Sequence, residues 1–270
     1  MRGVPQQDRD WVDRGLVDRL RRSGSVFAKD ELSALRSAHS DADGLEQAVL
    51  ARERGALVEH LVGSVDFLGL ELAISAGVFV PRSRTEPLVQ AATARLRTHV
   101  GDGGRATVLD LGCGTGAFAA VLAQSAPAAR VLASDSSSSA VECALANGAR
   151  YGFEVLTSDW CRQLPTTLRG EVDLVVTYLP HVPTPALAAL PRDALEQEGR
   201  PSFDGGPDGL DGLRSVLAQL PEHLSGRGAM FTLVSEEQVK SSRAAAAETR
   251  WRTAIVSEHQ RDVVLQLEPH

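Results

Sequence analysis

The stretch Val108-Leu-Asp-Leu-Gly-Cys-Gly-Thr-Gly116 decides the fold. It begins as a short apolar strand and continues into three glycines, Gly112, Gly114 and Gly116. Glycines at the end of a strand allow a tight turn into a helix and a close approach of a ligand to the backbone. The dinucleotide-binding fingerprint would need a further glycine at position 117, where this chain has alanine. The stretch therefore favours a nucleoside-binding turn over one that binds a pyrophosphate.

Strands and helices alternate on the carboxyl side of this turn. Such alternation is typical of a parallel sheet with right-handed crossovers and helices on both faces. The last two strands are separated by about five residues, too few for a crossover helix, so we expect them to pair antiparallel. The prediction is an α/β, Rossmann-like fold with a mostly parallel seven-stranded sheet and an antiparallel last strand. The strands read from the sequence are 106–111, 130–134, 153–157, 172–177, 229–234, 253–256 and 262–267.

The amino-terminal quarter of the chain has a different pattern. Residues 1–64 show apolar spacing typical of helices, with a break and capping residues at Ser40–Gly44. Residues 65–81 read as a β-hairpin whose turn would lie at Ser75–Gly77. We therefore expect an N-terminal helical region, a hairpin linker and a catalytic domain over residues 82–270.

Acidic residues follow the first three strands of the predicted sheet. Asp110 could meet an ammonium group, and Asp135 could accept hydrogen bonds from both hydroxyls of a ribose. Asp159 could accept from the amine of adenine, while Trp160 beside it could stack on the ring. Because the carboxyl ends of parallel strands share one edge of the sheet, these groups would line one crevice. Together they fit S-adenosylmethionine, although any one acid alone is better explained as a helix cap.

Composition limits the other possibilities. The formal net charge of −7 argues against a protein that coats nucleic acid. Three cysteines form no disulfide framework and no metal-ligand spacing with a histidine, so we expect no metal. No apolar run approaches the roughly 20 residues needed to cross a bilayer. The sequence thus favours a cytoplasmic protein without a membrane or nucleic-acid partner, and it does not indicate the oligomeric state.

Several segments resemble the HemK-type protein glutamine methyltransferases, which methylate a glutamine side-chain amide in peptide release factors. Val78-Phe-Val-Pro-Arg-Ser-Arg-Thr-Glu86 is similar to the family's PRPETE segment, and Phe203-Asp-Gly-Gly-Pro-Asp-Gly-Leu210 to its DGG-DGL segment. The resemblance runs from about residue 51 to the C-terminus and is greatest to a shorter paralogue branch. It implies a class I S-adenosylmethionine-dependent methyltransferase that forms S-adenosylhomocysteine. The family's cofactor positions fall on Gly112, Gly114, Thr115, Gly116, Asp135 and Trp160.

The sequence departs from this family at the acceptor site. Tyr178-Leu179-Pro180-His181 stands where the family has Asn-Pro-Pro-Tyr. An amide nitrogen is a poor nucleophile, and the family's Asn side chain and the next backbone carbonyl hold its two N–H groups. Tyr178 has no side-chain carbonyl, so half of this clamp is lost. We treat Tyr178, Pro180 and His181 as candidate catalytic residues, with His181 as a possible base, and Phe79, Tyr178, Leu179 and His181 as candidate substrate-binding residues.

Three functions remain open at this point. One is an N-methyltransferase for a small, amino-acid-like molecule, indicated by an intact cofactor half beside an altered acceptor half. A second is methylation of a glutamine in a peptide release factor, with a changed clamp. A third is a regulator or partner subunit that binds the cofactor without transferring a methyl group. Tyr178 and His181 would then merely fill space.

Overall fold

The computed structural model describes residues 6–101 and 105–270. Residues 1–5 of the predicted helical region and residues 102–104 of the predicted catalytic domain lie outside this range. The chain forms an N-terminal group of helices, a two-stranded hairpin and a large α/β unit. The domain limits expected at residues 64 and 81 stay a prediction. None of the helices in the described ranges is both long and apolar enough to cross a membrane.

Four helices at the N-terminus bury a core of their own. This core is built mainly from leucines, among them Leu20, Leu35 and Leu45. Asp41 caps the third helix by accepting a hydrogen bond of 2.7 Å from the Gly44 N–H, which satisfies one of the free donors at a helix start. The capping break expected from the sequence is therefore confirmed. The helices are α1 (Gln6–Arg22), α2 (Ala28–Ala38), α3 (Ala42–Glu53) and α4 (Val58–Val62).

The hairpin that follows turns earlier than the sequence suggests. Strands β1 (Ser64–Phe67) and β2 (Leu70–Ala73) pair antiparallel around a two-residue turn. Both turn residues, Leu68 and Gly69, have positive φ, as two-residue hairpin turns require. A turn does form at Ser75–Gly77, where the Val78 N–H donates to the Ser75 carbonyl at 3.3 Å, but it does not join two strands. The expectation that it is the hairpin turn is wrong, because the apolar alternation that runs through positions 65–74 hides the turn at Leu68 and Gly69. Residues 77–80 form no strand.

The seven-stranded sheet has the order β5-β4-β3-β6-β7-β9-β8. Its first five strands in this order are parallel, and β9 runs antiparallel between β7 and β8. The predicted parallel sheet with an antiparallel last strand is thus confirmed. The strands are β3 (Thr107–Leu111), β4 (Arg130–Asp135), β5 (Glu154–Thr157), β6 (Val172–Thr177), β7 (Leu224–Ser235), β8 (Trp251–His259) and β9 (Asp262–Pro269).

Helices cover both faces of this sheet. Neighbouring residues of one strand alternate between two cores, so that Val108 packs on one face and Leu109 on the other. After β5 the chain returns to the middle of the sheet and places β6 beside β3. This reversal of strand order opens a crevice at the carboxyl ends of the strands, where α/β proteins bind ligands. The helices are α5 (Glu86–Gly101), α6 (Ala117–Ser125), α7 (Ser138–Tyr151), α8 (Arg192–Glu198), α9 (Asp211–Gln219) and α10 (Val239–Glu248).

Candidate active site

A cleft of about 1080 Å³, which includes its part open to solvent, lies at the carboxyl ends of β3, β4 and β6. Most of the predicted site residues contribute to its wall, and several residues that the sequence did not indicate join them. The cleft wall includes Phe79, Arg82, Gly112, Gly114, Thr115, Asp135, Ser158, Trp160, Tyr178 and Pro180.

The glycine turn after β3 needs its glycines for two different reasons. Gly112 has a φ of 71°, and a Cβ there would lie 3.3 Å from Cζ3 of Trp160. The ring of Trp160 thus packs directly on the turn at the cleft wall. Gly116 has a φ of 75°, and its Cβ would lie 2.6 Å from Cζ of Phe153, a buried residue. Gly112 therefore shapes the cleft wall. Gly116 is not among the cleft residues, and its missing side chain makes room for the buried ring of Phe153.

Asp135 lies at the end of β4 and faces the cleft. Its Oδ2 accepts a hydrogen bond of 2.9 Å from the Gly114 N–H, and its Oδ1 accepts one of 2.9 Å from the Ser137 N–H. A carboxylate has about four acceptor positions, so two remain for hydroxyl donors of a ligand. The carboxylate is held in place by the backbone and still has capacity to bind the ribose expected from the sequence.

Thr115 and Ser158 add hydroxyl groups to the cleft. Thr115 is almost fully buried, and its Oγ1 has no hydrogen-bond partner in the described part of the chain. A buried hydroxyl without a partner costs free energy, which a ligand group could relieve. Ser158 is buried as well and donates a hydrogen bond of 2.6 Å to the Trp160 carbonyl. Ser158, rather than the predicted Asp159, is the residue after β5 that lines the cleft together with Trp160.

Three predicted cofactor residues lie outside the cleft wall, namely Gly116, described above, and the two acids Asp159 and Asp110. Asp159 pairs with Arg162 at the surface, with Oδ2 and Nη1 2.6 Å apart. Asp110 is buried behind the turn, and its Oδ2 accepts a hydrogen bond of 2.9 Å from the Ala119 N–H in the first turn of α6. Burial raises the pKa of Asp110 to about 7, against the hydrogen bond from Ala119, which lowers it. Their predicted contacts with the ammonium and the adenine stay predictions, and these positions do not favour them.

The acceptor segment after β6 divides between the cleft and the core. Tyr178 and Pro180 line the cleft, whereas the Leu179 side chain is buried among core residues. His181 is not among the cleft residues, but its ring lies 5.3 Å from that of Tyr178. The ring of Tyr178 also packs against Phe79, with the centroids 6.0 Å apart. Tyr178 therefore lies in contact with both the cleft wall and His181.

The tautomer of His181 follows from its hydrogen bond. Its Nδ1 lies 3.1 Å from the carbonyl oxygen of Leu179. A carbonyl can only accept, so Nδ1 carries the hydrogen and donates, which leaves the lone pair on Nε2 when the ring is neutral. Burial lowers the pKa of His181 and raises that of Tyr178 to about 12. Both side chains are therefore neutral at pH 7.

The loop Phe203–Leu210 packs tightly against the acceptor segment. The Val182 N–H donates to the Phe203 carbonyl, and the Gly205 N–H donates back to the Val182 carbonyl, at 3.0 and 2.9 Å. A Cβ at Gly205 would lie 2.7 Å from the carbonyl oxygen of Pro180. Gln238 donates a further hydrogen bond of 2.8 Å to the carbonyl of His181. The backbone of the acceptor segment is therefore held on several sides, and the close approach explains the glycine at position 205.

An ion pair between the buried Glu198 and the partly exposed Arg82 lies beside Phe79 on the acceptor wall of the cleft. Glu198 accepts hydrogen bonds from the Val80 N–H at 2.7 Å and from Nη2 of Arg82 at 2.6 Å. The guanidinium of Arg82 lies 5.1 Å from the centroid of Phe79, which in turn packs edge-on against Phe203. Burial raises the pKa of Glu198, while its partners lower it. No sequence pattern indicated this pair.

Comparisons with known proteins agree with this geometry. A family model described as a methyltransferase domain matches residues 108–197. The crystal structure of a ribosomal protein L11 methylase from Lactobacillus delbrueckii subsp. bulgaricus has a TM-score of 0.52 at 20% identity, covering 70% of this chain and 81% of that one. The fold is thus that of the class I S-adenosylmethionine-dependent methyltransferases. Within this class the chain is similar to the release factor glutamine methyltransferases, which confirms the resemblance seen in the sequence.

The similarity to these relatives is extensive but partial. The chain is 38% identical to the release factor glutamine methyltransferase of Mycolicibacterium smegmatis over 174 residues, 64% of this chain and 59% of the relative. It is 32% identical to that of Thermosynechococcus vestitus over 197 residues, 72% of this chain and 66% of the relative. The chain therefore covers about three fifths of the length of the first of these relatives.

Proposed function

We propose that this protein transfers a methyl group from S-adenosylmethionine to a nitrogen atom of a small, amino-acid-like acceptor. The observation that carries the proposal is the hydrogen bond between Nδ1 of His181 and the carbonyl of Leu179. That carbonyl corresponds to the backbone acceptor of the amide clamp in the HemK-type glutamine methyltransferases. Here Tyr178 removes the side-chain half of the clamp, and His181 takes one of the two acceptor positions of the backbone carbonyl. A glutamine amide would therefore lose one of its two usual partners and share the other with His181.

The cleft provides groups that fit the cofactor. We infer that Asp135 holds the ribose, that Trp160 and Ser158 flank the adenine, and that Gly112 and Gly114 give room beside the turn. The unpartnered hydroxyl of Thr115 is a further candidate contact. When bound, S-adenosylmethionine supplies a sulfonium-linked methyl group that a nucleophile with a free lone pair can displace.

The acceptor half of the cleft would orient a nucleophile and take up its proton. An amine has a free lone pair and needs no amide clamp, so the aromatic walls formed by Phe79 and Tyr178 could position it by packing. The nitrogen must lose a proton on methylation. His181 has an unprotonated Nε2 at pH 7 and contacts Tyr178, so it is our candidate base, with Tyr178 as its neighbour on the cleft side.

Methylation of a release factor is the second candidate, favoured by the similarity to enzymes with that name. It would require Tyr178 and His181 to be displaced or to orient the amide in another way. The tight packing of Gly205 and Gln238 against this segment opposes a change of its backbone. Cofactor binding without any transfer is the third candidate, and the same experiment addresses it.

The test compares transfer of labelled methyl groups to two kinds of acceptor. Purified protein is incubated with labelled S-adenosylmethionine and either an unmodified peptide release factor or a set of free amino acids and amines. Calorimetry with S-adenosylhomocysteine is run on the same sample. We expect cofactor binding and transfer to a small amine only. Transfer to the release factor would overturn the proposal, and binding without any transfer would favour the third candidate.

Substitution of Tyr178 sharpens this test. If the altered segment excludes an amide, Tyr178→Asn should introduce or increase transfer to the release factor and reduce transfer to small amines. Tyr151→Asn is the matched control, because Tyr151 is the other tyrosine of the chain and lies on α7, outside the cleft. Equal behaviour of the two variants would contradict the role assigned to Tyr178.

A further inference from the structure

Arg82 gives the cleft a single positive group. Among the described residues that line the cleft, Arg82 is the one with a cationic side chain and Asp135 the one with a carboxylate. The Arg82 side chain is 35% exposed, and its guanidinium lies over Phe79, the ring that contacts Tyr178. The positive group is therefore on the acceptor wall, whereas the carboxylate is on β4 beside the glycine turn.

Both ends of Arg82 are held in place. At the backbone, its carbonyl accepts hydrogen bonds from the N–H of Thr85 at 2.9 Å and from Oγ1 of Thr85 at 2.7 Å. At the side chain, both oxygens of Glu198 contact Nη2 alone. Since Val80 also donates to Glu198, the carboxylate is a fixed support rather than a mobile counter-ion. An arginine fixed in this way loses little further side-chain entropy when it binds a ligand.

The rest of the guanidinium is available for binding. In the part of the chain that the structure describes, no group accepts a hydrogen bond from Nε or Nη1 of Arg82. A guanidinium binds both oxygens of one carboxylate through Nη2 together with either Nε or Nη1, and Glu198 already occupies Nη2. Nη1 or Nε can therefore offer a ligand carboxylate a single charge-assisted hydrogen bond. Glu198 is fully buried, so only the guanidinium of the ion pair reaches the cleft.

We propose that Arg82 binds a carboxylate of the methyl acceptor, so that the substrate class is an amino-acid derivative whose side chain or ring lies across Phe79. This inference rests on the proposed function. It adds a carboxylate to the acceptor nitrogen as a group that the cleft recognises. Phe79 would pack against the apolar part of the acceptor, and Arg82 would fix its carboxylate. The acceptor nitrogen would then be oriented from a point outside the Tyr178–His181 segment. Glu198 is a positioning residue in this arrangement.

A carboxylate is also present in the methionine part of the cofactor. The experiment must therefore separate the two sources. Protein saturated with S-adenosylhomocysteine already has the cofactor's carboxylate in place, so any further carboxylate-dependent binding belongs to the acceptor side. We choose phenylacetate as the probe and phenylacetamide as its neutral analogue, because both carry an aromatic ring suited to Phe79 and only one carries a charge.

The wild-type protein alone provides the first test. Calorimetry on the protein loaded with S-adenosylhomocysteine should show phenylacetate binding at least about tenfold more tightly than phenylacetamide, which corresponds to one charge-assisted contact. Equal binding of the two probes would overturn the inference without any variant. Because this measurement needs no turnover, its failure leaves the transfer assay of the proposed function untouched.

The double variant Arg82→Gln, Glu198→Gln provides the second test. Removing both charges avoids leaving a buried carboxylate unpaired, which would destabilise the fold. We expect the preference for phenylacetate to disappear while the affinity for S-adenosylhomocysteine stays within about twofold. The matched control is Arg130→Gln, Glu154→Gln, a surface arginine–glutamate pair on β4 and β5 whose nearest atoms are 2.8 Å apart. It should keep the preference.

Two results of the second test would overturn the inference. If the double variant still prefers phenylacetate, another group binds the carboxylate. If instead the affinity for S-adenosylhomocysteine falls tenfold or more while that for 5′-methylthioadenosine, which lacks the amino-acid part, is unchanged, Arg82 holds the carboxylate of the cofactor. A failure of the proposed function gives a different result. In that case the transfer assay shows no methylation of a small acceptor, whether or not S-adenosylhomocysteine binds.

Discussion

Replacing Asp110 by asparagine should make the protein more stable at alkaline pH. The carboxyl group of Asp110 is buried and accepts one hydrogen bond, from the Ala119 N–H. Asparagine keeps an oxygen for that hydrogen bond and has the shape of the protonated acid. It differs in that it never carries a charge, so it removes the cost of a buried carboxylate.

The magnitude follows from the pKa of Asp110. The folded-state pKa is about 7, whereas an unfolded aspartate has a pKa of about 3.9. A raised pKa means that the folded state binds the proton more tightly, so the stability contributed by this group is complete below about pH 4. It is lost as the pH rises towards 7. The two pKa values differ by about three, and each pKa unit corresponds to 1.36 kcal/mol, so the buried charge costs about 4 kcal/mol at pH 8. At pH 5, only about one pH unit above the unfolded pKa, the cost is about 1.5 kcal/mol.

The assay is urea unfolding of wild type and Asp110→Asn at pH 5 and pH 8, without cofactor. The free-energy difference in favour of the variant should increase between the two pH values by about 2 to 3 kcal/mol. A difference that does not change with pH, or a variant less stable than wild type at pH 8, would refute the reasoning. Calorimetry with S-adenosylhomocysteine then tests the role predicted from the sequence. Loss of binding without a gain in stability would indicate that Asp110 meets the ammonium group after all.

Three further outcomes are expected. Gly116→Ala should lower the free energy of unfolding by about 2 to 4 kcal/mol, because it combines a left-handed backbone with a contact against Phe153. Gly226→Ala, where a Cβ meets nothing within 4 Å, is the control, and the two should differ in urea midpoint. The pKa of His181 is lowered by burial, so the midpoint of the acid decline in turnover on a small amine should lie below the ordinary pKa of histidine. A midpoint above the ordinary value would contradict a buried, neutral base. S-adenosylhomocysteine at about 100 times its dissociation constant should raise the free energy of unfolding by about 2.7 kcal/mol, and no change in the melting curve would contradict a cofactor site.

Much of the fold could be predicted because its signals are local. The apolar strand Val108–Leu111 is buried on both sides of the sheet, and its composition alone indicates this. Helix α10 gives no clear helical signal in the sequence, because its buried positions are the small residues Ser242, Ala245 and Ala246, which form no apolar stripe. The hairpin turn was misplaced because Leu68 adopts a positive φ, which its residue type does not suggest.

The site was harder to predict, because it depends on which side chain faces the cleft after each turn. Asp135 is the last residue of β4, and the structure places it in the cleft wall. After β5 the chain bends, with a φ of 49° at Trp160, and brings Ser158 rather than Asp159 to the cleft. Arg82 and Glu198 are separated by 116 residues, and only the folded chain brings them together.

The tight contact between the loop Phe203–Leu210 and the acceptor segment has a consequence for how this enzyme can acquire new substrates. With Gly205 and Gln238 against the backbone, insertions or shifts of the segment are costly, whereas exchanges of side chains are not. Natural drift and laboratory evolution should therefore change selectivity through a few half-buried rings, Phe79, Tyr178 and Phe203. A library limited to these three positions would sample most of the accessible acceptor range, while randomising the loop glycines would yield mainly unfolded protein.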